Sequence, residues 1–533
     1  MGVPAARVNG TGPLVLAADA PRPRRGQWLL AMSSGLLLAA AFPSPSIAPL
    51  AFVGLVPLLL AMEGARPRKA FALGWVAGVV FYLATVYWVV YTIDHYTAVP
   101  WPVATAILGL LAAALAVYTA LFAAGMSWLE RRGLPVIWLA PALWVALEWL
   151  RSWFPVGFPW ATLGYSQYRY HDLVQIAEVT GVYGISAVLV LFNVTVAAVL
   201  RARGPGSRPL LAPLIVLTVL VVGLPMVGRW RTAAIERRLA EAPAGSLRVG
   251  IAQGNIEQDQ KWNPAFQGET LARYQTLTRA LVAERPQLVV WPETATPFFF
   301  QEPGPLRESM QALAVETGVP LLFGSPAFRQ SSRGQLEELN RAYLLAADGR
   351  ELGTYDKIQL VPFGEYVPFQ QVLFFVNQVV VAVGRMAPGT TPTVFELPDA
   401  RFGVLICYEG IFPALTRRFV AGDADFLVNV TNDAWYGRTA APYQHLAQVT
   451  LRAVENRVPV VRAANTGISA IIDPIGRVLW ASPLFETVGH VGEITWPGIR
   501  TFYARYGDVF AWACTLATVA AFGYGTRSWR RRR

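Results

Sequence analysis

One stretch of the chain, Arg401-Phe-Gly-Val-Leu-Ile-Cys407-Tyr-Glu409-Gly-Ile-Phe-Pro413, joins a buried strand to a cysteine and then to a helix start. The residues before the cysteine are apolar and partly β-branched, as a strand covered on both faces should be. Glu409 and Pro413 suit a first helical turn, whose free N–H groups favour a thiolate at Cys407. A lone cysteine in such a place is more often a core residue, because free cysteines are among the most buried residue types.

Two further stretches favour a catalytic cysteine over a buried one. In Leu288-Val-Val-Trp-Pro-Glu293-Thr the proline cannot continue a central ladder, so Glu293 falls at the end of a strand. In Gly353-Thr-Tyr-Asp-Lys357-Ile-Gln-Leu-Val-Pro-Phe-Gly-Glu365 a lysine follows a predicted strand, and a second carboxylate follows it. A nucleophilic cysteine needs a base for its proton and a cation for the charge that develops on the substrate carbonyl. Glu293, Lys357 and Cys407 supply these three roles.

The order of glutamate, lysine and cysteine, each at the end of a strand, resembles the nitrilase superfamily of carbon–nitrogen hydrolases and acyltransferases. The motifs WPET, YDKIQLVPFGEYVPF and CYEG resemble those of one branch of this superfamily in particular, the apolipoprotein N-acyltransferases. The resemblance covers roughly 246–495 and extends towards the amino terminus through Gly157-Phe-Pro-Trp160 and Leu163-Gly-Tyr-Ser-Gln167. It implies an αββα sandwich, whereas periodicity alone indicates only an α/β domain.

Composition predicts a membrane protein. Of 533 residues, 54% are hydrophobic and only 15% are charged, and mean hydropathy is +0.39. The net charge of +11 comes without a basic stripe interleaved with aromatics, so cytoplasmic loops explain it better than nucleic acid does. Cys407 and Cys514 cannot build a disulfide framework, and no Cys/His cluster has metal spacing. We therefore expect neither a metal nor another cofactor.

Apolar segments predict eight transmembrane helices, seven before the α/β region and one after it, at roughly 27–43, 45–62, 70–93, 100–127, 135–152, 176–200, 209–228 and 507–526. Arginine and lysine cluster on alternate loops and at the carboxyl end, which places both termini in the cytoplasm. The predicted division is a tail at 1–26, a membrane domain at 27–228, an extracytoplasmic catalytic domain at 229–506, a last helix at 507–526 and a basic tail at 527–533.

Alternating patterns predict the elements of the α/β region. The predicted strands are Val249–Gln253, Leu288–Trp291, Leu321–Phe323, Ala342–Ala346, Phe402–Ile406, Phe426–Val430, Val458–Ala463 and Ser469–Ile472. The predicted helices lie at 264–284, 304–317, 411–421 and 440–456. The uncharged stretch 366–384 falls between two catalytic motifs, so we interpret it as an apolar loop on the bilayer or over the site, not as a span.

Three residues near the three motifs, Glu365, Glu409 and Trp262, have two interpretations each, and Tyr408 has one. Glu365 and Glu409 are ion-pair or capping residues by position alone, and the resemblance implies that they support catalysis. It also implies an oxyanion-stabilising backbone N–H near Tyr408. Trp262 is either a substrate-side aromatic or a packing residue at a helix start.

Other polar and aromatic residues have a purely structural interpretation beside the functional one. Asn429, Asn432 and Asp433 follow a predicted strand and either line the site or form a turn. His445 lies on a predicted helix, where a solvated or hydrogen-bonded histidine is commoner than a catalytic one. An interfacial belt accounts for most tryptophans and tyrosines of the membrane part, among them Tyr87, Trp88, Tyr91, Trp101, Trp149, Trp153 and Trp160.

The resemblance implies a complete reaction. A phospholipid of the phosphatidylethanolamine type donates an acyl chain to Cys407 as a thioester. The α-amino group of an apolipoprotein's diacylglyceryl cysteine then accepts that chain, in a monomeric protein of the bacterial inner membrane. Residues alone support only cysteine acyl transfer at a membrane. A membrane-tethered amidase and a non-catalytic lipoprotein-binding or transport module stay open as alternatives.

Overall fold

The computed structural model describes residues 24–202, 211–331, 334–369 and 386–531. Most of the predicted apolar loop 366–384 therefore lies outside the described residues, as does nearly all of the predicted tail 1–26. The described chain consists of a helix bundle and an α/β domain inserted before its last helix.

The bundle is built from apolar helices that begin where proline permits. Helix α5 follows Pro100, carries a second proline in its first turn and runs for 30 residues. It packs closely on α3, because a Cβ at Gly74 would lie only 2.7 Å from the Thr119 carbonyl oxygen. The helices of this part are α1 Arg24–Ala40, α2 Val56–Ala61, α3 Pro67–Thr85, α4 Trp88–Tyr96, α5 Trp101–Glu130, α6 Val136–Arg151, α7 His171–Val174, α8 Ala177–Thr180, α9 Val182–Arg201, α10 Leu211–Thr218 and α11 Leu224–Glu241.

Within the described residues, four helices are long and apolar enough to cross a membrane, and a fifth crossing results if the bent pair α3 and α4 forms one span. The four are Trp101–Glu130, Val182–Arg201, Ala212–Glu241 and Val509–Ser528. The predicted segments 27–43 and 135–152 form helices of 17 and 16 residues. The segment 45–62 forms a 3₁₀ turn and a helix of 6 residues. Apolar membrane helices are thus present, while the count of eight crossings stays a prediction.

Two six-stranded sheets form the α/β domain. The first has the order β12-β1-β2-β3-β4-β5 and consists of β1 Gly245–Gln253, β2 Leu288–Val290, β3 Leu321–Gln330, β4 Leu336–Leu345, β5 Glu351–Asp356 and β12 Val488–Trp496. The second has the order β11-β10-β9-β8-β7-β6 and consists of β6 Val394–Leu397, β7 Ala400–Ile406, β8 Phe426–Thr431, β9 Val460–Ala464, β10 Ala470–Ile472 and β11 Val478–Ala481. The central pairs β1–β2, β2–β3, β7–β8 and β8–β9 are parallel, and the outer pairs are antiparallel.

The sheets pack face to face, with helices outside. Val249 and Val290 of the first sheet share one core with Val404 and Val428 of the second. The helices are α12 Gln258–Lys261, α13 Gln267–Val282, α14 Pro305–Thr317, α15 Pro413–Ala421, α16 Ala441–Asn456, α17 Phe502–Tyr506 and, back in the bundle, α18 Val509–Arg531. Helices α13 and α14 cover the first sheet, and α15 and α16 cover the second. The αββα sandwich that the resemblance implied is confirmed.

The sequence missed the strands β6, β11 and β12. Each is an edge strand of its sheet and is partly exposed, so it lacks the continuous apolar run that marked the central strands. Helix α11 also continues to Glu241, beyond the predicted start of the catalytic domain at 229, and β1 begins at Gly245.

Candidate active site

Cys407 lies directly after β7, at a sharp bend of the backbone. Its φ is +51°, a left-handed conformation that a residue with a side chain adopts only when its surroundings enforce it. A 3₁₀ turn, Cys407–Ile411, follows, and α15 begins only at Pro413. The helix start is thus displaced from the cysteine, in contrast to the prediction.

Glu293 follows β2 and presents a carboxylate that three donors hold. Its Oε1 accepts hydrogen bonds from Asn340 Nδ2 at 2.7 Å and from Lys357 Nζ at 3.4 Å. Its Oε2 accepts one from the Asn432 backbone N–H at 2.8 Å. The carboxylate is therefore oriented from both sheets, since Asn340 lies in β4 and Asn432 follows β8.

Lys357 follows β5 and lies between two carboxylates. Its Nζ is 2.8 Å from Glu365 Oε1 and 3.4 Å from Glu293 Oε1, and its side chain is only 1% exposed. Burial alone would lower the pKa of Lys357, but the charges of Glu365 and Glu293 together raise it above its usual value. Lys357 is therefore a permanent cation of the site.

Cys407 rests as a thiol. Burial raises the pKa of Cys407, and the charge of Glu293 adds to that effect, while Lys357 opposes it. The prediction of a thiolate stabilised by a helix start is therefore wrong. A thiol acts as a nucleophile only when a neighbouring base takes its proton, and Glu293 is the carboxylate that acts on this thiol most strongly.

Glu409 joins the backbone next to Lys357 to the backbone next to Cys407. Its Oε1 accepts hydrogen bonds from the Tyr355 hydroxyl at 2.8 Å and from two N–H groups, those of Ile358 at 2.6 Å and Gln359 at 3.0 Å. Its Oε2 accepts one from the Ile406 N–H at 2.7 Å. Burial raises the pKa of Glu409 to about 7. The structure thus places Glu409 between the segment that carries Lys357 and the segment that carries Cys407.

Glu365, Tyr408 and Trp262 occupy three different environments. Glu365 Oε2 accepts a hydrogen bond from the Val361 N–H at 2.8 Å, which aims its other oxygen at Lys357. The Tyr408 hydroxyl donates to the Gly157 carbonyl at 3.1 Å, so its ring points into the membrane part. Trp262 is 51% exposed and forms no part of the buried cluster.

Sequence reasoning missed two polar residues of the site. Asn340 Nδ2 donates to both Glu293 and Glu365, at 2.7 and 3.4 Å. Lys261 is buried next to Trp262 and donates from Nζ to the Glu293 carbonyl at 3.2 Å. Burial lowers the pKa of Lys261 to about 8. The position of Lys261 after the first predicted strand indicated a site residue, but the possible substrate contact was assigned to the neighbouring Trp262.

A buried polar cluster lies beneath the cysteine. His445 Nε2 is 3.2 Å from the Cys407 carbonyl oxygen, and His445 Nδ1 is 3.1 Å from both Asp433 Oδ1 and Arg462 Nη2. Asn429 donates from Nδ2 to the Leu405 carbonyl at 2.9 Å. The prediction of a hydrogen-bonded histidine is confirmed, and its partner is the backbone of Cys407.

Aromatic residues predicted as an interfacial belt divide into two groups. Trp101 and Trp153 are exposed, as a belt requires. Trp88 and Trp160 are buried, with ring centroids 4.9 Å apart, and both contact the ring of Tyr436 in the α/β domain. For these two tryptophans the belt interpretation is wrong, because they pack where the bundle and the α/β domain meet.

Comparisons with known proteins cover both parts of the chain. Residues 34–195 match the apolipoprotein N-acyltransferase N-terminal domain, and residues 248–500 match the carbon-nitrogen hydrolase family. The chain is similar to the apolipoprotein N-acyltransferase of Geobacter metallireducens, with 44% identity over 95% of this chain and 96% of that one. It is 35% identical to that of Azotobacter vinelandii, over 93% of this chain and 94% of that one.

Solved structures align with the α/β part. An amidase of the nitrilase superfamily from Nesterenkonia aligns with a TM-score of 0.37 and 19% identity, covering 49% of this chain and 93% of the amidase. A Saccharomyces cerevisiae member of the nitrilase superfamily aligns with a TM-score of 0.37 and 18% identity, covering 47% and 90% of the two chains.

Proposed function

Because this chain belongs to the apolipoprotein N-acyltransferase family, we propose that its acyl transfer runs through Cys407, with Glu293 as general base and Lys357 as oxyanion-stabilising cation. The protein is an acyltransferase of lipoprotein N-acylation in a membrane. The observation that carries the residue assignment is the buried arrangement of Glu293, Lys357 and Glu365 beside the bend at Cys407.

The first half-reaction acylates the enzyme. Glu293 takes the thiol proton of Cys407, and the sulfur attacks the ester carbonyl of a phospholipid, phosphatidylethanolamine in type. Lys357 and a backbone N–H near Tyr408 stabilise the oxyanion that forms. The intermediate collapses to a thioester, the lysophospholipid oxygen leaves, and Glu293 returns the proton to that oxygen.

The second half-reaction forms an amide. The α-amino group of a lipoprotein's diacylglyceryl cysteine attacks the thioester carbonyl, and Lys357 again stabilises the oxyanion. Glu293 accepts a proton from the attacking nitrogen and delivers it to the departing sulfur. The products are an N-acylated lipoprotein and free Cys407, so the cycle is ping-pong.

The membrane arrangement proposed here has eight crossings and both termini in the cytoplasm. The catalytic domain, 229–506, then lies on the extracytoplasmic side of the membrane. Alternate basic loops and the four or five long apolar helices among the described residues support this arrangement. We propose a monomer, since both halves of the site come from one chain.

Intact mass spectrometry after incubation with phosphatidylethanolamine tests the assignment. We expect a fatty-acyl mass on the wild type and on Cys514→Ala, whose cysteine lies in α18, but none on Cys407→Ala. Hydroxylamine should remove the adduct, as should a diacylglyceryl-cysteinyl peptide with a free amino group, while the N-acetylated peptide should not. An adduct on Cys407→Ala would refute the nucleophile, and discharge by water alone would favour a hydrolase.

A further inference from the structure

Gln444, near the start of α16, is hydrogen-bonded to the helix bundle with all four of its polar valences. Its Oε1 accepts from Trp88 Nε1 at 3.2 Å and from Trp160 Nε1 at 2.7 Å. Its Nε2 donates to the carbonyls of Pro43 and Thr85, both at 2.9 Å. A primary amide offers two N–H donors and an oxygen with two acceptor positions, and all four are used here. Three separate segments of the bundle, around residues 43, 85–88 and 160, therefore determine the position of this side chain.

The next residue, His445, holds the backbone of Cys407. The Cys407 carbonyl can only accept, so Nε2 of His445 carries the hydrogen of the 3.2 Å contact. Burial and then the charge of Arg462 lower the pKa of His445, which favours the neutral ring, while Asp433 Oδ1 and Arg462 Nη2 both lie 3.1 Å from Nδ1. The same guanidinium nitrogen donates to Asp433 Oδ2 at 2.6 Å, so Arg462 and Asp433 together hold the ring of His445 in place.

The bend at Cys407 needs such support. A left-handed residue with a side chain is less stable than ordinary backbone, and contacts that exist only in the bent form must offset that strain. The carbonyl of Cys407 is where the contacts lie, because His445 at 3.2 Å and Asn429 at 3.4 Å both donate to it. His445 thus stabilises the conformation that presents the sulfur at the end of β7.

We propose that Gln444 and His445 are positioning residues that couple the docking of the helix bundle to the reactive conformation of Cys407. The bundle sets the start of α16 through Gln444, and the adjacent His445 transmits that position to the carbonyl of the nucleophile. Helix α4 reinforces the same junction, since the hydroxyls of Thr92 and Tyr96 donate to the carbonyls of Trp435 and Ala434 at 2.9 and 2.8 Å. This inference rests on the proposed role of Cys407 as nucleophile.

Two amide substitutions at His445 distinguish the loss of the hydrogen bond to the Cys407 carbonyl from the loss of the imidazole ring. His445→Gln places a donor near the position of Nε2, whereas His445→Asn is too short to reach the Cys407 carbonyl. At Gln444, Gln444→Met removes the four bundle bonds and keeps the length of the side chain. Gln448→Met is the matched control, because Gln448 lies one turn further along α16, is equally buried, and its carbonyl oxygen has no hydrogen-bond partner among the described residues.

The assay measures acyl-enzyme formation from phosphatidylethanolamine in nanodiscs, with melting temperature recorded for each full-length variant. We expect His445→Asn and Gln444→Met to lower the maximal acylation rate about tenfold or more with little change in the half-saturating lipid concentration. His445→Gln should recover most of the rate, and Gln448→Met should match the wild type. The double variant, His445→Asn with Gln444→Met, should be no slower than the slower single variant, because both residues act along one path.

The outcomes distinguish this inference from the function it rests on. Equal rates for His445→Asn and His445→Gln, or a Gln444→Met variant that acylates like the wild type, would overturn the coupling while leaving Cys407 as nucleophile. Additive losses in the double variant would also overturn it. Absence of an acyl-enzyme on the wild type itself would instead refute the proposed nucleophile.

Discussion

The substitution Glu409→Gln tests how the two catalytic segments are held together. It keeps the size of the side chain and removes its charge. In the structure this carboxylate accepts four hydrogen bonds, from the Tyr355 hydroxyl and from three backbone N–H groups beside Lys357 and Cys407. An amide offers only one oxygen, so at least one of these donors must face an NH₂ group.

The expected loss follows from counting these bonds. The favoured orientation keeps the oxygen where three donors converge and turns the NH₂ towards the Ile406 N–H, which leaves one buried donor without an acceptor, at about 1–3 kcal/mol. The other three bonds change from charge-assisted to neutral, which roughly halves each of them. Taken at the low end of these ranges, the junction loses about 4 kcal/mol. If half of that loss is felt in the transition state, acyl-enzyme formation slows about thirtyfold.

Rapid-quench measurement of acyl-enzyme formation across pH 5.5 to 8.5 is the assay, at roughly unit steps. Since burial raises the pKa of Glu409 to about 7, the wild-type rate should fall as the pH drops below 7 and approach the rate of the variant. The variant should be slow throughout and lack this fall. Glu396→Gln, at an exposed position of β6, controls for the substitution itself. A Glu409→Gln variant within about twofold of wild type, or one that keeps the acid limb, would refute the reasoning.

Three other substitutions have distinct expected results. Glu365→Gln removes the carboxylate 2.8 Å from Lys357, so the raised pKa of Lys357 should fall and the alkaline decline of the acylation rate should begin at lower pH; an unchanged alkaline limb would contradict this. Lys261→Met should melt at a higher temperature than wild type at pH 7.5, because burial lowers the pKa of Lys261 to about 8 in the folded wild type. Between about pH 8 and 10.5 the folded wild type binds fewer protons than its unfolded chain and gains stability as the pH rises, so the difference in melting temperature should shrink. A pH-independent difference would contradict this. Trp262→Ala should leave the melting temperature unchanged, since the side chain is 51% exposed, and should raise the KM for lipid or peptide if Trp262 contacts substrate; a lowered melting temperature would indicate packing instead.

The three proposed catalytic residues could be identified from the sequence because each of them follows a strand that the sequence marks clearly. β2, β7 and β8 are short apolar runs without alternation, as strands buried on both faces must be. Proline after β2 and the polar residues after β5 and β7 mark where these strands end, so Glu293, Lys357 and Cys407 could be assigned to one end of the sheets. The apolar helices were equally visible, since a membrane span is a local property of composition.

Other features depend on which distant residues meet. The pKa of Cys407 is raised because folding buries it beside Glu293, which overrides the local effect of a helix start. Asn340 is unremarkable in sequence and Lys261 is marked only by its position after the first strand, and both join the site only when β4 and α12 pack near the segment that carries Glu293. The number of crossings is likewise undetermined by apolar content, because bent and short helices have the same composition as straight spans.

The sequence alone determined the family, the apolar helices, the central strands and the order of the three proposed catalytic residues, because each of these is encoded in neighbouring residues. Only the tertiary structure decided which groups Gln444, His445 and Glu409 contact. Their hydrogen-bond partners lie from 3 to 401 positions away along the chain, and no local pattern specifies them. A buried polar side chain takes its role from the groups that satisfy it, and folding alone brings those groups together.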